Sequence, residues 1–347
     1  MSKILVCGDI HWSTYSSILR NRGQSFSVRL EQLIASLNWV EALAKEQGCL
    51  EEIFLGDTFD RPELDAESIT ALSEVEWNKN ARARHFIVGN HESGMASLRY
   101  NSTQILHKMG VIQDSPFLYP YDDNLEILFL PYITEDERRP LGEYLKGRDP
   151  SKKLLVCSHN DIKGFQMGAF LSKTGFDLNE IESTCDLYLN GHLHNCGWPS
   201  KRVCNVGVLC GQNFSEDAFK YEHHVAIVDT ETLEVRFFEN PYALNFYKID
   251  IMGKSDFKCM ESIKKYAVAS VKCPNGLKDE LRAILDNDPR ILTYKMAITV
   301  EASNGEACEA KPELGGLDYL DRFKEFILAN VGDNDIVREE LTEVCKA

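Results

Sequence analysis

Positive charge is in short supply in this chain: 38 Lys and Arg stand against 54 Asp and Glu, for a formal net charge of −16. That balance excludes a protein that holds nucleic acid or a membrane surface by bulk charge alone. Long apolar runs are missing too. Nothing reaches the length of a membrane span, and Met1-Ser2-Lys3 leads straight into a strand pattern with no signal-peptide core. The expectation is a cytoplasmic protein with no membrane partner. None of the 11 cysteines makes a Cys-x-x-Cys pair, and Cys196, Cys204 and Cys210 lack the spacing of a structural zinc site. Cys7 and Cys157 sit inside apolar runs, as reduced buried thiols do. The chain also lacks a Gly-x-x-x-x-Gly-Lys-Ser/Thr loop, so any ATP dependence must come from another subunit. Internal repeats and low-complexity tracts are absent as well.

What is present is a chain of 347 residues, enough for one large domain and an appendage. Short apolar runs at 4–7, 53–55, 86–88, 154–157 and 187–189 read as buried strands. Helical spacing follows at 27–47, closed by Gly48, and again at 66–78 and 97–109. Further strands at 125–130 and 203–206 precede a hairpin, 224–228 with 233–238, turned through Asp229-Thr230-Glu231-Thr232. The alternation predicts an α/β fold of two packed β-sheets flanked by helices over residues 1–240. After Asn240-Pro241 the texture becomes that of a small α+β unit, 241–315, with strands at 246–251, 266–271 and 292–300 and helices at 256–264 and 277–286. A helical tail, 316–347, completes the chain and carries an apolar stripe of Leu317, Leu320, Phe323 and Phe326.

Five of the strand runs end in polar motifs: Asp9-Ile10-His11, Gly56-Asp57-Thr58-Phe59-Asp60, Gly89-Asn90-His91-Glu92, Ser158-His159, and Gly191-His192-Leu193-His194. Singly, each is ordinary turn chemistry or a surface histidine. Jointly they hold five of the nine histidines and deliver carboxylates, an amide and imidazoles to one rim. Divalent cations need that mixture of oxygen and nitrogen donors on a rigid frame. Asp57 is the candidate to bridge two ions, at the separation of about 3.5–4 Å that suits phosphoryl displacement.

Together the motifs resemble the signature of the calcineurin-like metallophosphoesterase superfamily, over roughly residues 1 to 210. The resemblance implies a four-layer sandwich and two divalent metal ions, usually Mn2+. Asp9, His11, Asp57 and His194 would hold one ion, and Asp57, Asn90, His159 and His192 the other. His91 would contact the phosphate and help protonate the leaving group, Glu92 would orient His91, and Asp60 would support His11 or another ligand from behind. An imidazole titrating near neutrality suits such an acid.

The substrate class is not in the signature. Gly-Asp-Thr-Phe-Asp-Arg at 56–61, Phe129-Leu130-Pro131-Tyr132, and Val203-Cys204-Asn205-Val206-Gly207 before the closing hairpin are similar to the SbcD/Mre-type DNA-repair nucleases. The overall impression resembles a compact SbcD-like subunit of the kind large bacteriophages encode, which would act in the host cytoplasm. That likeness implies DNA as substrate, a homodimer, a capping role for 241–315 and an SbcC-type ATPase docked on the tail. Arg20 and Arg22, beside the first motif, are the candidate DNA contacts. The tail itself, with 12 acidic and 5 basic residues from Glu301 to Ala347, is poor DNA-binding material. Glu92 stands where the nucleases more often carry Asp, and Gly-Asn-His-Glu is the commoner phosphatase spelling. A stand-alone phosphatase or small-molecule phosphodiesterase is therefore the second reading. A scaffold that has lost its chemistry fits poorly, since every ligand position is filled.

Overall fold

The computed structural model describes residues 2–14, 23–77, 83–94, 97–167 and 170–299. Arg20, Arg22 and the tail at 316–347 lie outside them. The chain divides into two compact units, Met1–Met296 and Ala297–Ala347, and nearly all of the second falls outside the described residues. Among the described residues no helix is long and apolar enough to cross a membrane.

Two large sheets form the core of the first unit. One runs Val235–Glu239, His224–Asp229, β1 (Lys3–Cys7), β2 (Cys49–Phe54), β3 (Ala83–Ile87), β4 (Val111–Gln113). Its strands β1 to β4 are parallel, and the hairpin adds antiparallel to β1. The other sheet runs Val203–Asn205, Leu187–Asn190, β7 (Lys153–Ser158), β6 (Leu125–Leu130), β5 (Phe117–Pro120). Here only β5 is antiparallel. Ile4, Val6, Ile53 and Leu55 meet Ile127, Phe129, Leu155 and Leu189 in the core between the sheets. Because both faces of each sheet are covered, the strands read as continuous apolar runs and not as alternation.

Helix α1 (Val28–Gln47) closes the outer face of the first sheet through Leu30, Leu33, Leu37 and Val40. Ser27 caps its start by accepting the Leu30 N–H, and Gly48, at φ 69°, ends it in the left-handed conformation. Leu178–Thr184 does the same on the second sheet through Ile181. The result is the α/β sandwich of packed sheets and flanking helices. A three-stranded sheet, Asn245–Asp250, Ala267–Pro274 and Ile291–Thr299, follows with the helix Lys278–Asn287. Its Phe246 and Val268 join the core under α1.

Two expected helices are not α-helical. Within 97–109 the described chain forms a 3-10 turn, Ser102–Leu106, because Asn101 Nδ2 donates back to the Leu98 carbonyl and Asn101 pairs with Ser93. Such side-chain bonds compete with the helical ladder. Lys254–Ser262 is likewise 3-10, opened by Asp256 accepting the Met252 and Gly253 N–H groups. The helix begun at Ala66 stops at Leu72. Arg84 is buried between Glu41 and Glu52 and pairs with both.

Candidate metal centre

Every motif lies just past the carboxyl end of a parallel strand. Asp9 and His11 follow β1, Asp57 follows β2, and Asn90 and His91 follow β3; His159 follows β7, and His192 and His194 follow Leu187–Asn190. Both sheets therefore contribute to one crevice at the sheet ends, the usual place for a ligand in parallel α/β architecture. The turns that achieve this are strained: His11, Asp57 and His192 have φ of 50°, 45° and 69°. Non-glycine residues adopt that region at a cost, and such strain gathers at functional sites.

The side chains converge into three overlapping donor groups: Asp9, His11 and His194; His11, Asp57 and His91; Asp57, His159 and His192. Within each, the ligating atoms lie within 4.8 Å of one another. Asp57 Oδ2 is 3.9 Å from His11 Nε2 and 3.2 Å from His159 Nε2, so one oxygen faces both ends of the cluster. Asn90 Oδ1 is 3.2 Å from His159 Nε2. His11 Nε2 and His194 Nε2 are 3.0 Å apart, with Asp9 Oδ2 at 4.0 and 3.9 Å from them. Asp9 Oδ2 is fully buried and has no hydrogen-bond partner. An anionic oxygen orphaned among imidazole nitrogens is costly unless a cation joins it. The donor set thus fits divalent metal ions on the chain's own geometry.

The second nitrogen of each inner histidine faces an oxygen of the chain. His159 Nδ1 donates to the Leu55 carbonyl at 2.8 Å, and His194 Nδ1 to Glu216 Oε1 at 2.5 Å. Asp60 Oδ1 lies 3.3 Å from His11 Nδ1, and Asp161 Oδ1 lies 3.2 Å from His192 Nε2. Asp60 Oδ1 also accepts from Gln212 Nε2 at 2.8 Å. Asp161 and Glu216 were not singled out by the sequence. The first lies two places beyond His159; the second sits in Gly211-Gln212-Asn213-Phe214-Ser215-Glu216, with no local pattern to mark it.

His91 is the exposed member, with 43 % of its side chain open. Its N–H donates to Asp57 Oδ1 at 3.0 Å, its Nδ1 donates to the Asp60 carbonyl at 3.1 Å, and its ring meets His11 edge-on. Glu92 does not reach it. That carboxyl is buried and accepts the Gly89 N–H at 2.7 Å and the Phe59 N–H at 3.1 Å, which locks the third motif to the second. The expected orientation of His91 by Glu92 therefore gives way to the Asp60 carbonyl, because the carboxyl points into the interior. Of the histidines outside the motifs, His85 lies against Glu51 and Gln113, His223 bonds the Val208 carbonyl and His224 packs on Phe237.

Proton affinities follow the packing. Burial would raise Asp57, but His159 beside it, then His11 and His91, outweighs that and holds the carboxyl well below the usual carboxylate range. Burial disfavours charge on His159, yet Asp57 and then Asp9 lift it to about 9. His194 is also lifted to about 9, against burial, by Glu216 and then Asp9. Burial first, then Asp57, pushes Glu92 up to about 7. A divalent cation competes for the lone pairs that these protons occupy.

Among solved structures the chain is similar to a dimetal phosphatase from Danio rerio, at 12 % identity over 69 % of this chain and 99 % of that one, with a TM-score of 0.43. It is also similar to an archaeal phosphodiesterase, at 15 % identity over 68 % and 99 % with a TM-score of 0.37. A hypothetical protein from Thermus thermophilus matches at 12 % identity over 69 % and 100 %, with a TM-score of 0.40. No curated protein matches the chain. A family model for calcineurin-like phosphoesterases matches residues 2–196, which takes in all five strand-end motifs. With more than half of its length so matched, and its donors gathered at the ends of both sheets, the chain belongs to the calcineurin-like phosphoesterases, metal-dependent hydrolases of phosphoesters.

Proposed function

We propose that the chain is the nuclease subunit of an SbcC/SbcD-like complex, cutting DNA phosphodiesters with two divalent ions, of which Mn2+ is the expected pair. The observation that carries this reading is the three-stranded sheet and helix of 245–299, attached to the loop that braces the donor cluster. Gly211 N–H donates to the Leu244 carbonyl and Ala218 N–H to the Phe246 carbonyl, at 3.0 and 2.8 Å. An accessory wall fixed to the metal centre has a use in aligning a long polymer and little use with a small monoester. The Phe59 spelling, the Leu-Pro-Tyr segment at 130–132 and the segment at 203–207 support the same reading.

When bound, the cations supply Lewis-acid charge for the phosphate oxygens and for an attacking water. The chain's own residues do the rest. Asp57 faces both ends of the cluster, and Asp9, Asn90 and the four inner histidines fill it out. His91 stands at the open lip; with its Nδ1 committed to the Asp60 carbonyl, Nε2 is the atom that passes a proton to the leaving oxygen.

A stand-alone phosphatase or small-molecule phosphodiesterase is the second reading, favoured by the Gly-Asn-His-Glu spelling and by the net charge of −16. Linear duplex DNA and a simple phosphate monoester, each with Mn2+ and with chelator, distinguish the two. Manganese-dependent loss of DNA with little monoester turnover supports the nuclease; strong monoester turnover with intact DNA overturns it. The domain roles belong to the same proposal: 1–240 as nuclease, 241–315 as cap, and 316–347 as the dock for an SbcC-type ATPase in a homodimeric subunit. Deleting 316–347 then abolishes ATPase co-purification and spares metal-dependent hydrolysis, whereas unchanged co-purification refutes the dock.

A further inference from the structure

We infer that Glu216 is a positioning residue that shapes one metal position of the centre and leaves the other alone. The carboxyl is almost fully buried, 1 % exposed. Its Oε1 accepts the His194 Nδ1 proton at 2.5 Å, while Oε2 accepts the backbone N–H of Gln212 at 2.5 Å and of Asn213 at 3.3 Å. A carboxylate can only accept, so Nδ1 of His194 must carry its proton and Nε2 must offer its lone pair inward. The same loop reaches the partner histidine. Gln212 Nε2 donates at 2.8 Å to Asp60 Oδ1, the oxygen that lies 3.3 Å from His11 Nδ1. Arg29, fully buried, ties the loop to the His11 turn by donating to the His11 and Gly211 carbonyls, both at 3.0 Å. One carboxyl thus fixes His194 Nε2 directly, and through the Gln212 loop it braces the Asp60 carboxyl that lies beside His11.

The other end of the cluster has separate supports. His159 leans on the Leu55 carbonyl and His192 on Asp161, and neither touches the 211–216 loop. The carboxyl supports of the two ends are therefore separate, Glu216 backing His194 at the Asp9–His11–His194 end and Asp161 backing His192 at the Asp57–His159–His192 end, while Asp57 is shared. The inference rests on the two-metal reading of the centre and is independent of whether DNA is the substrate.

The test is Mn2+ binding by calorimetry on the full chain, comparing wild type, Glu216→Gln and Asp161→Asn. Glu216→Gln fills the same volume but turns an amide N–H toward donors. It is expected to weaken one of the two sites about 10- to 100-fold and leave the other in place. Asp161→Asn is expected to weaken the opposite site, so that the double variant weakens both. In the diamagnetic Zn2+-loaded protein, a downfield imidazole proton lost in His194→Gln should also vanish in Glu216→Gln and persist in Asp161→Asn. Glu216→Asp, which keeps the charge, covers the case in which Glu216→Gln melts early in chelator. Equal weakening of both sites by Glu216→Gln, or unchanged binding together with an unchanged imidazole proton, overturns the inference. Wild type that binds no Mn2+ or Zn2+ would instead sink the two-metal reading on which it rests.

Discussion

His91 and His224 make opposite use of an imidazole. His91 is open to substrate and its ring meets His11 edge-on, but its hydrogen bond to Asp57 comes from the backbone N–H, which alanine retains. His91→Ala should therefore lower kcat by about 10²- to 10⁴-fold while Mn2+ binding and melting temperature stay in place. A variant that turns over normally would remove His91 from the chemistry. His224 is buried in the closing hairpin against Phe237, and burial, then the neighbouring His223, pushes it down to about 4, against the pull of Glu222 and Glu239. Lys264 also faces it and pushes the same way as His223. The unfolded chain binds this proton near pH 6.5 and the folded chain near 4, so the unfolded state holds more protons in that window. Stability is then full above pH 6.5 and falls as the pH drops toward 4, by about 3 kcal/mol from this residue. Denaturant unfolding of His224→Gln across that range should show a flatter slope; an unchanged slope would assign the acid sensitivity elsewhere. The donors themselves were legible because each ends a strand in a recognisable spelling. Asp161 and Glu216 were not, since a supporting carboxylate is defined only by the fold that brings it to a histidine.

At the scale of elements, the buried parallel strands were legible because an apolar run of four to six residues between turn signals has few other uses. Helix α1 was equally plain, with its stripe, its Ser27 cap and Gly48. The stretch at 97–109 was not, because Asn101 and Ser93 redirect the backbone through contacts that hydrophobic spacing does not encode. The turn after β3 shows how much an element end demands. A Cβ on Gly89 would overlap Asp57 Oδ1 and the Asp57 backbone nitrogen, so the residue must be glycine for Asp57 to sit between the two ends of the cluster. Gly89→Ala is expected to cost about 1–3 kcal/mol in overpacking and, more tellingly, to lower the Mn2+ stoichiometry. Circular dichroism should report an intact fold. Full stoichiometry in this variant would mean that Asp57 is not shared between the ions.

On the scale of the whole molecule, the metal centre joins two sheets that also meet through their apolar faces. Asp9, His11, Asp57 and Asn90 belong to the first sheet, while His159, His192 and His194 belong to the second. A cation held across that seam binds the folded state alone, because unfolding scatters its donors over the length of the chain. Sequence order already implied this union of distant motifs. It did not reveal that Asp57 and His159, from different sheets, would lie 3.2 Å apart. At a free Mn2+ concentration 100-fold above the dissociation constant, each independent site adds about 2.7 kcal/mol, and two sites about 5. For a chain of this size that is a rise of roughly 10 °C in melting temperature over the chelated protein. Asp9→Asn should remove about half of the increment, because Asp9 serves one end of the cluster through its orphaned oxygen. Thermal melts with Mn2+ and with chelator decide the matter: a wild-type difference within about 1 °C would mean that these donors do not clamp the sheets, whereas loss of the whole increment in Asp9→Asn would mean that the two ions bind as one cooperative unit.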